Sequence, residues 1–295
     1  MNGIILIDKP AGISSAEVVR RIKRLVKPAR VGHLGTLDPF ATGLLPIMVG
    51  EATKLAPLLE GGDKEYSGLI RLGAETDTLD RDGAVVRTAP VPALMPALLA
   101  SVAAKFTGAI EQTPPLYSAI KRDGVPLYKL ARRGGEVPPP EPRSVTIKRL
   151  ELSIESPDSI RFTALCSPGT YARALARDIG AALGSLGYLC ELRRLANGAF
   201  RLDVAHQLEE VLERIESAAP EPCVIGMRDA VAALPEIAID RALETRLRNG
   251  DSRALDGLAP NDSRYFKVIS SSGDLIAVAR STSRVTAVIE RVFVE

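Results

Sequence analysis

The chain is poor in the residues from which soft-metal and redox sites are built. Its 295 residues include only two histidines and three cysteines. Cys166, Cys190 and Cys223 are far apart, odd in number and without CxxC spacing. With two distant histidines, that pattern offers neither a zinc ligand set nor a disulfide framework, so the cysteines read as reduced thiols of a cytoplasmic protein. No apolar run reaches the roughly 18–20 residues needed to cross a bilayer. The first ten residues, MNGIILIDKP, break a short apolar run with a charge, which is not the pattern of a signal peptide. No nucleotide-binding glycine fingerprint and no cofactor motif is present. The expectation is a protein with no metal, no cofactor and no membrane partner.

Charge of one sign is also scarce, since the formal net charge is +2. That is too little for bulk attraction to nucleic acid. The positive residues are nevertheless clustered. RRIKRLVKPAR (20–30) carries six basic residues and no acid, and the segment 121–149 is also basic, whereas 203–221 turns acidic. Such clusters on a near-neutral chain suit a directed anionic partner, or equally an ordinary solvated helix face.

The length allows about two domains of roughly 150 residues each. GIILIDKP reads as a buried strand ending at Lys9-Pro10, and SSAEVVRRIKRLVK as a helix with Ser14 and Glu17 at capping-box spacing. Strands are expected at 44–49 and 65–73, short and long helices at 52–59 and 93–106, and a loop at AETDTLDRDG. The proline-rich 134–143 resists regular structure. Residues 161–184 read as strand, turn and helix with Thr170 as N-cap, and 188–202 as a hairpin turning at Asn197-Gly198. A further amphipathic helix is expected at 205–217. After Pro235 the strand candidates YFKVIS, LIAVAR and VTAVIERVFVE suit a small β-barrel, dividing the chain into 1–234 and 235–295.

The stretch GHLGTLDPFATGLLPIMVGEATKL (32–55) sets one carboxylate, Asp38, in an apolar, glycine-rich run beside His33. Pro39 biases Asp38 away from helix. An Asx-type turn accounts for Asp-Pro by itself. A carboxylate can also act as nucleophile, general base or oxocarbenium stabiliser. The residues alone leave these alternatives open, and the lack of a paired acid weighs against a two-carboxylate glycosidase.

GHLGTLDPFATGLLP closely resembles the signature of the TruB family of pseudouridine synthases. DKPAGISS (8–15), KEYSGLIRLGAETDTLDRDG (64–83), SAIKRDGVPLYKLARRG (118–134), GTYARALARDIG and LRRLANGAF resemble further motifs of that family, in its order, over nearly all of residues 1–201. The resemblance implies an α+β pseudouridine-synthase catalytic fold, a mixed and largely antiparallel sheet flanked by helices, followed by a small C-terminal PUA-like β-barrel. It implies isomerisation of uridine to pseudouridine in the T-loop of tRNA, at position 55, after base flipping. Asp38 would be the nucleophile and Arg173 its ion-pair partner, an opposite charge of the kind that favours a carboxylate. Tyr66 would stack on the target base, Tyr171 would sit on its other side, Leu192 would floor the pocket and His33 would contact RNA. Lys9 and Pro10 would buttress the pocket, with Arg132 and Arg194 as further supports. The partner would be tRNA, through its T-arm and acceptor end, bound by a cytoplasmic monomer that needs no guide RNA. A guide-RNA-dependent relative and a tRNA-folding chaperone are the alternatives.

Overall fold

The computed structural model describes residues 1–118, 120–122, 124–132, 137–220, 223–255, 257–258, 264–282 and 286–293, with the side chains of Arg132 and Ser252 outside the description. Strand β1 (Gly3–Lys9) is followed by helix α1 (Ser15–Leu25). Ser14 starts the helix, its hydroxyl accepting the Glu17 N–H at 3.1 Å. Val18 and Ile22 face inward while Arg20, Lys23 and Arg24 are exposed, which is the amphipathic division that the spacing required. Then come β2 (Thr42–Val49), β3 (Lys64–Leu72), α2 (Pro96–Phe106), β4 (Gly108–Gln112), β5 (Arg143–Ser156), β6 (Ser159–Cys166), α3 (Ala172–Ala182), β7 (Gly187–Asn197) and α4 (Leu208–Glu216).

These strands form one sheet in the order β1-β2-β7-β3-β6-β5-β4. Neighbours run antiparallel except at the middle, where β2 and β7 are parallel and pair only through Thr42 with Arg193 and Gly43 with Arg194. A side chain at Gly43 would bring its Cβ to 2.4 Å from the Arg194 carbonyl, and the residue has φ +97°, so glycine is required at this seam. Beyond those two pairs the strands part, and the loop 34–41 lies in the fork.

Both faces of β1 and β2 are covered, which explains their unbroken apolar runs. Ile5, Ile7, Leu45 and Ile47 face a core shared with Val18, Ile22, Leu175, Ile179 and Val211 of the helices. The alternate residues Ile4, Leu6, Leu44 and Met48 face a second core, which includes Ile269, Leu275, Val278 and Phe293.

Ile269, Leu275 and Val278 belong to a separate four-stranded sheet, β8 (Glu236–Ala238), β9 (Tyr265–Ile269), β10 (Leu275–Ser281) and β11 (Ala287–Val292), paired in that order, and Phe293 directly follows its last strand. It covers a third core with Leu247 of helix α5 (Arg241–Arg248), Phe266, Val268 and Ile276. Strands are present within the three expected C-terminal segments, and a further short strand not expected from the sequence, Glu236–Ala238, begins one residue after Pro235.

Two expectations are corrected. The segment after β3 is not all loop: Ala74–Thr76 pairs with Val85–Thr88 as a small hairpin. Thr170 does not cap α3, because its hydroxyl donates to the Ser167 carbonyl at 2.9 Å and Tyr171 is the N-cap residue. One grouping of metal-type side chains does form. His206, Glu210 and Cys223 come together, their ligand atoms within 4.8 Å of one another. Arg214 already donates to the same Glu210 oxygen that faces His206, at 3.1 Å, so an arginine occupies the side a cation would use.

Candidate active site

Asp38 lies in the fork of the sheet, on the loop between the strand Val31–His33 and β2. Several backbone groups of that loop are held by partners from distant parts of the chain. Asn197 Nδ2 donates to Leu34 O at 2.7 Å, and Arg194 Nη2 to Gly35 O at 3.0 Å. Gly12 N–H donates to Pro39 O at 2.8 Å. Ser15 Oγ meets both the N–H and the C=O of Leu37. A buried backbone group without a partner is costly, so each contact fixes the loop as well as satisfying it.

Arg173, in the first turn of α3, reaches Asp38 with two nitrogens. Nε lies 2.9 Å from Oδ2, and Nη2 donates to Oδ1 at 3.1 Å. The pair is asymmetric: the arginine side chain is 7% exposed and the aspartate 31%, so the carboxylate keeps an open side. The remaining donors of Arg173 go to Thr78 O at 2.9 Å and Tyr117 O at 2.8 Å. Its Nη1 also lies 3.4 Å from Asp80 Oδ2. Such a two-bond fork fixes orientation in a way a lysine could not.

Asp80 was not singled out from the sequence. It stands among several acids in TDTLDRDG, and only its inclusion in a quoted motif distinguished it. In the structure it is buried, accepts from Thr78 Oγ1 at 2.7 Å and faces Arg173. Burial raises its pKa, opposed by the Thr78 bond and the Arg173 charge. Asn197, Ser15 and Gln112 were also missed, because a single polar residue in an apolar strand or at a helix start carries no sequence signal of what it will bond.

Of the other expected residues, Tyr66, Tyr171 and Lys9 lie within reach of the Asp38 charge. Tyr66, on β3, and Tyr171, at the N-cap of α3, both feel its charge, and burial raises the pKa of each phenol. Leu192, on β7, is buried in the helix-side core. It also lines a cavity of about 280 Å³ at the fork, with Phe40, Thr42, Ser67, Arg81 and Arg193. Arg193 there forks onto Asp8 at 3.0 and 2.7 Å, and the Arg81 guanidinium sits 5.7 Å over the Phe40 ring. His33 is half-buried, with no hydrogen-bond partner for Nδ1 among the described residues. Burial and the Arg194 charge lower its pKa, favouring the neutral ring.

The supports divide. Lys9 is fully buried, and its ammonium donates to Pro10 O at 2.8 Å, Ile13 O at 2.8 Å and Pro39 O at 3.3 Å. Burial lowers its pKa to about 8, against the attraction of Asp38. Pro10 is exposed and takes part only through its carbonyl. Arg194 is fully buried and does not reach Asp38; it holds the loop backbone and Leu44 O, the last at 2.7 Å. The side chain of Arg132 lies outside the described residues.

Comparison with known proteins places the chain in a family. The family model described as TruB family pseudouridylate synthase (N terminal domain) matches residues 23–172. The tRNA pseudouridine synthase B of Geobacter sulfurreducens is 44% identical over 252 residues, covering 85% of this chain and 82% of that one. The protein of the same name from Vibrio cholerae is 41% identical over 271 residues, covering 89% and 86%. Among solved structures, a Cbf5–Nop10–Gar1 complex contains a chain that superposes with TM-score 0.73 at 25% identity, covering 99% of this chain and 85% of that one. A match across half the chain, with relatives this similar over most of its length, identifies the protein as a member of the TruB family of pseudouridylate synthases.

Proposed function

We propose that the protein isomerises uridine to pseudouridine in tRNA, with Asp38 as the nucleophile and Arg173 as the residue that aims it. The observation that carries this reading is the half-open carboxylate held by two nitrogens of a buried arginine at the fork of the sheet. Relatives named tRNA pseudouridine synthase B support tRNA as the substrate. The target is the T-loop uridine. A base in a folded loop must be extruded at a cost of a few kcal/mol. Aromatic platforms return roughly 1–3 kcal/mol per stacked base, the part assigned to Tyr66 and Tyr171. Once the glycosidic bond breaks, the uracil must turn without leaving and water must stay out, which a small pocket floored by Leu192 favours. His33, neutral by its burial, contacts RNA rather than moving a proton.

The exposed cations of α1 and the segment 121–149 would meet phosphates, which position the RNA without specifying it. The C-terminal sheet, residues 235–295 in this reading a PUA-like domain, would grip the acceptor end. The enzyme acts as a cytoplasmic monomer. Identity to the tRNA pseudouridine synthase B relatives well above that to the Cbf5 chain favours action without guide RNA. A tRNA-folding role can coexist with catalysis.

The test is incubation with unmodified tRNA transcript, without guide RNA or cofactor, and mapping by carbodiimide-primer extension. One new stop at the T-loop uridine is expected. Asp38→Asn should bind tRNA as the parent does and lose about 10⁴-fold or more in rate, as expected on removing a nucleophile. Turnover by Asp38→Asn within tenfold of the parent would remove Asp38 from the central role.

A further inference from the structure

Two buried side chains outside the ion pair hold the backbone beside each of its members. Ser15 is the first residue of α1 and is buried. Its Oγ donates to Leu37 O at 3.0 Å and accepts from Leu37 N–H at 2.8 Å. Leu37 immediately precedes Asp38, so one hydroxyl satisfies both backbone groups of the residue next to the one that bears the carboxylate.

Gln112 ends β4 and is equally buried. Its Oε1 accepts from Tyr171 N–H at 2.8 Å, and its Nε2 donates to Tyr171 O at 3.2 Å. Tyr171 is the N-cap residue of α3 and supplies no side-chain cap of its own. Its carbonyl also accepts from Leu175 N–H at 3.0 Å, so the grip of Gln112 is passed to the turn that carries Arg173. The amide thus satisfies the N–H of the N-cap residue, one of the backbone donors that a helix start leaves without an intrahelical partner.

The two contacts have the same form. Each joins one side chain to both polar groups of a single residue, and two bonds to the peptides on either side of one Cα fix direction as well as distance. Neither side chain bonds Asp38 or Arg173 directly. The loop and the helix start come from distant parts of the chain, and their relative aim decides whether the fork closes. We propose that Ser15 and Gln112 are positioning residues for turnover, each setting one half of the Asp38–Arg173 geometry through the adjoining backbone. This rests on the reading of that pair as catalytic. It goes beyond the need to satisfy buried groups, because it ties both residues to rate rather than to stability alone.

The test uses the full chain. Ser15→Cys keeps the volume and gives a weak hydrogen-bonder, Ser15→Thr keeps the hydroxyl, and Gln112→Met keeps the length without polar atoms. Single-turnover rate at saturating tRNA transcript, tRNA affinity by filter binding and thermal midpoint are measured beside the parent. Ser15→Cys and Gln112→Met should each slow turnover roughly 10–100-fold, the scale of a small misplacement of reacting groups, with affinity nearly unchanged. Ser15→Thr should recover most of the rate. The double variant should lose less than the product of the single losses, because both act on one pair. Rates near the parent's, a loss carried equally by affinity, or an equal loss in Ser15→Thr would overturn the proposal. A parent that makes no pseudouridine in the same assay overturns instead the functional reading beneath it.

Discussion

Around Asp38 the polar groups are inside; in the C-terminal sheet they are mostly at the surface. The loop 34–41 is held by Ser15, Arg194, Asn197 and Lys9, all buried, with a carbonyl or amide at the end of each bond. The C-terminal region is held by an apolar core, Leu247, Phe266, Val268 and Ile276, and its ion pairs are peripheral, such as Arg246–Asp251 and Arg280–Glu290. Lys267 is its buried exception, with a single acid 3.5 Å away. Apolar burial is strong but has no direction. Hydrogen bonds add little net stability and a great deal of geometry, and become expensive when half made. The molecule uses the directional interaction where a carboxylate must be aimed and the undirected one where a sheet need only stay in place.

If this contrast is right, substitutions in the two regions should separate rate from stability. The largest effect is expected from Arg173→Met, which removes the fork on Asp38 and leaves the buried Asp80 without its cation. Breaking a buried pair from one side costs about 3–5 kcal/mol. Denaturant unfolding should show that loss, and turnover should fall more than 100-fold, beyond the loss that unfolding alone explains. Next, Phe293→Ala empties a buried position in the core shared by the two sheets. It should cost about 3–5 kcal/mol on unfolding while single-turnover rate at saturating tRNA stays near the parent's. A matching fall in rate would mean that the two regions are coupled and the contrast is false. The same shared core makes deletion of 236–295 a poor test of the tail, since it would uncover Ile4, Leu6, Leu44 and Met48.

The third effect is on pH dependence. Lys9 donates three bonds as an ammonium, one of them to the Asp38 loop, and its pKa is lowered from 10.5 to about 8. Turnover should therefore fall as pH rises through about 8, when the amine loses a donor. The stability contribution has the opposite sign. Between about 8 and 10.5 the unfolded chain binds this proton and the folded one does not, so that contribution rises with pH. A rate profile flat from neutrality to pH 9 would show that the ammonium is not needed for aim. The smallest effect is expected from Arg246→Ala, which removes an exposed pair with Asp251. Less than about 1 kcal/mol should be lost on unfolding, with no change in rate.

The legibility of the sequence follows the same division. Period and caps were sufficient for β1, α1, β2 and α2, because each has an unbroken or amphipathic apolar pattern. Asp38 and Arg173 were visible through a family signature, 135 residues apart, and the structure joins them. What the sequence concealed was the partner of each buried polar side chain. Thr170 looked like a cap because Thr before a helix usually is one; its hydroxyl instead closes the Ser167 turn, and Gln112, from another strand, supplies the contact to Tyr171. Local pattern registers what a residue prefers next to itself, and these bonds are made to segments far along the chain.

The narrow parallel seam between β2 and β7 sets an order in time. The groups that lock the loop from the far side, Arg194 and Asn197, lie 150 to 163 residues after the backbone atoms they hold. Closing so long a loop is slow compared with forming a hairpin or helix. During synthesis the segment bearing Asp38 emerges early and must wait, with its carbonyls turned to water, until β7 has been made. Catalytic competence then waits on a strand made long after the reactive residue, and a chain that stops short of β7 has Arg173 to meet Asp38 but lacks the side chains that hold Leu34 and Gly35 of its loop.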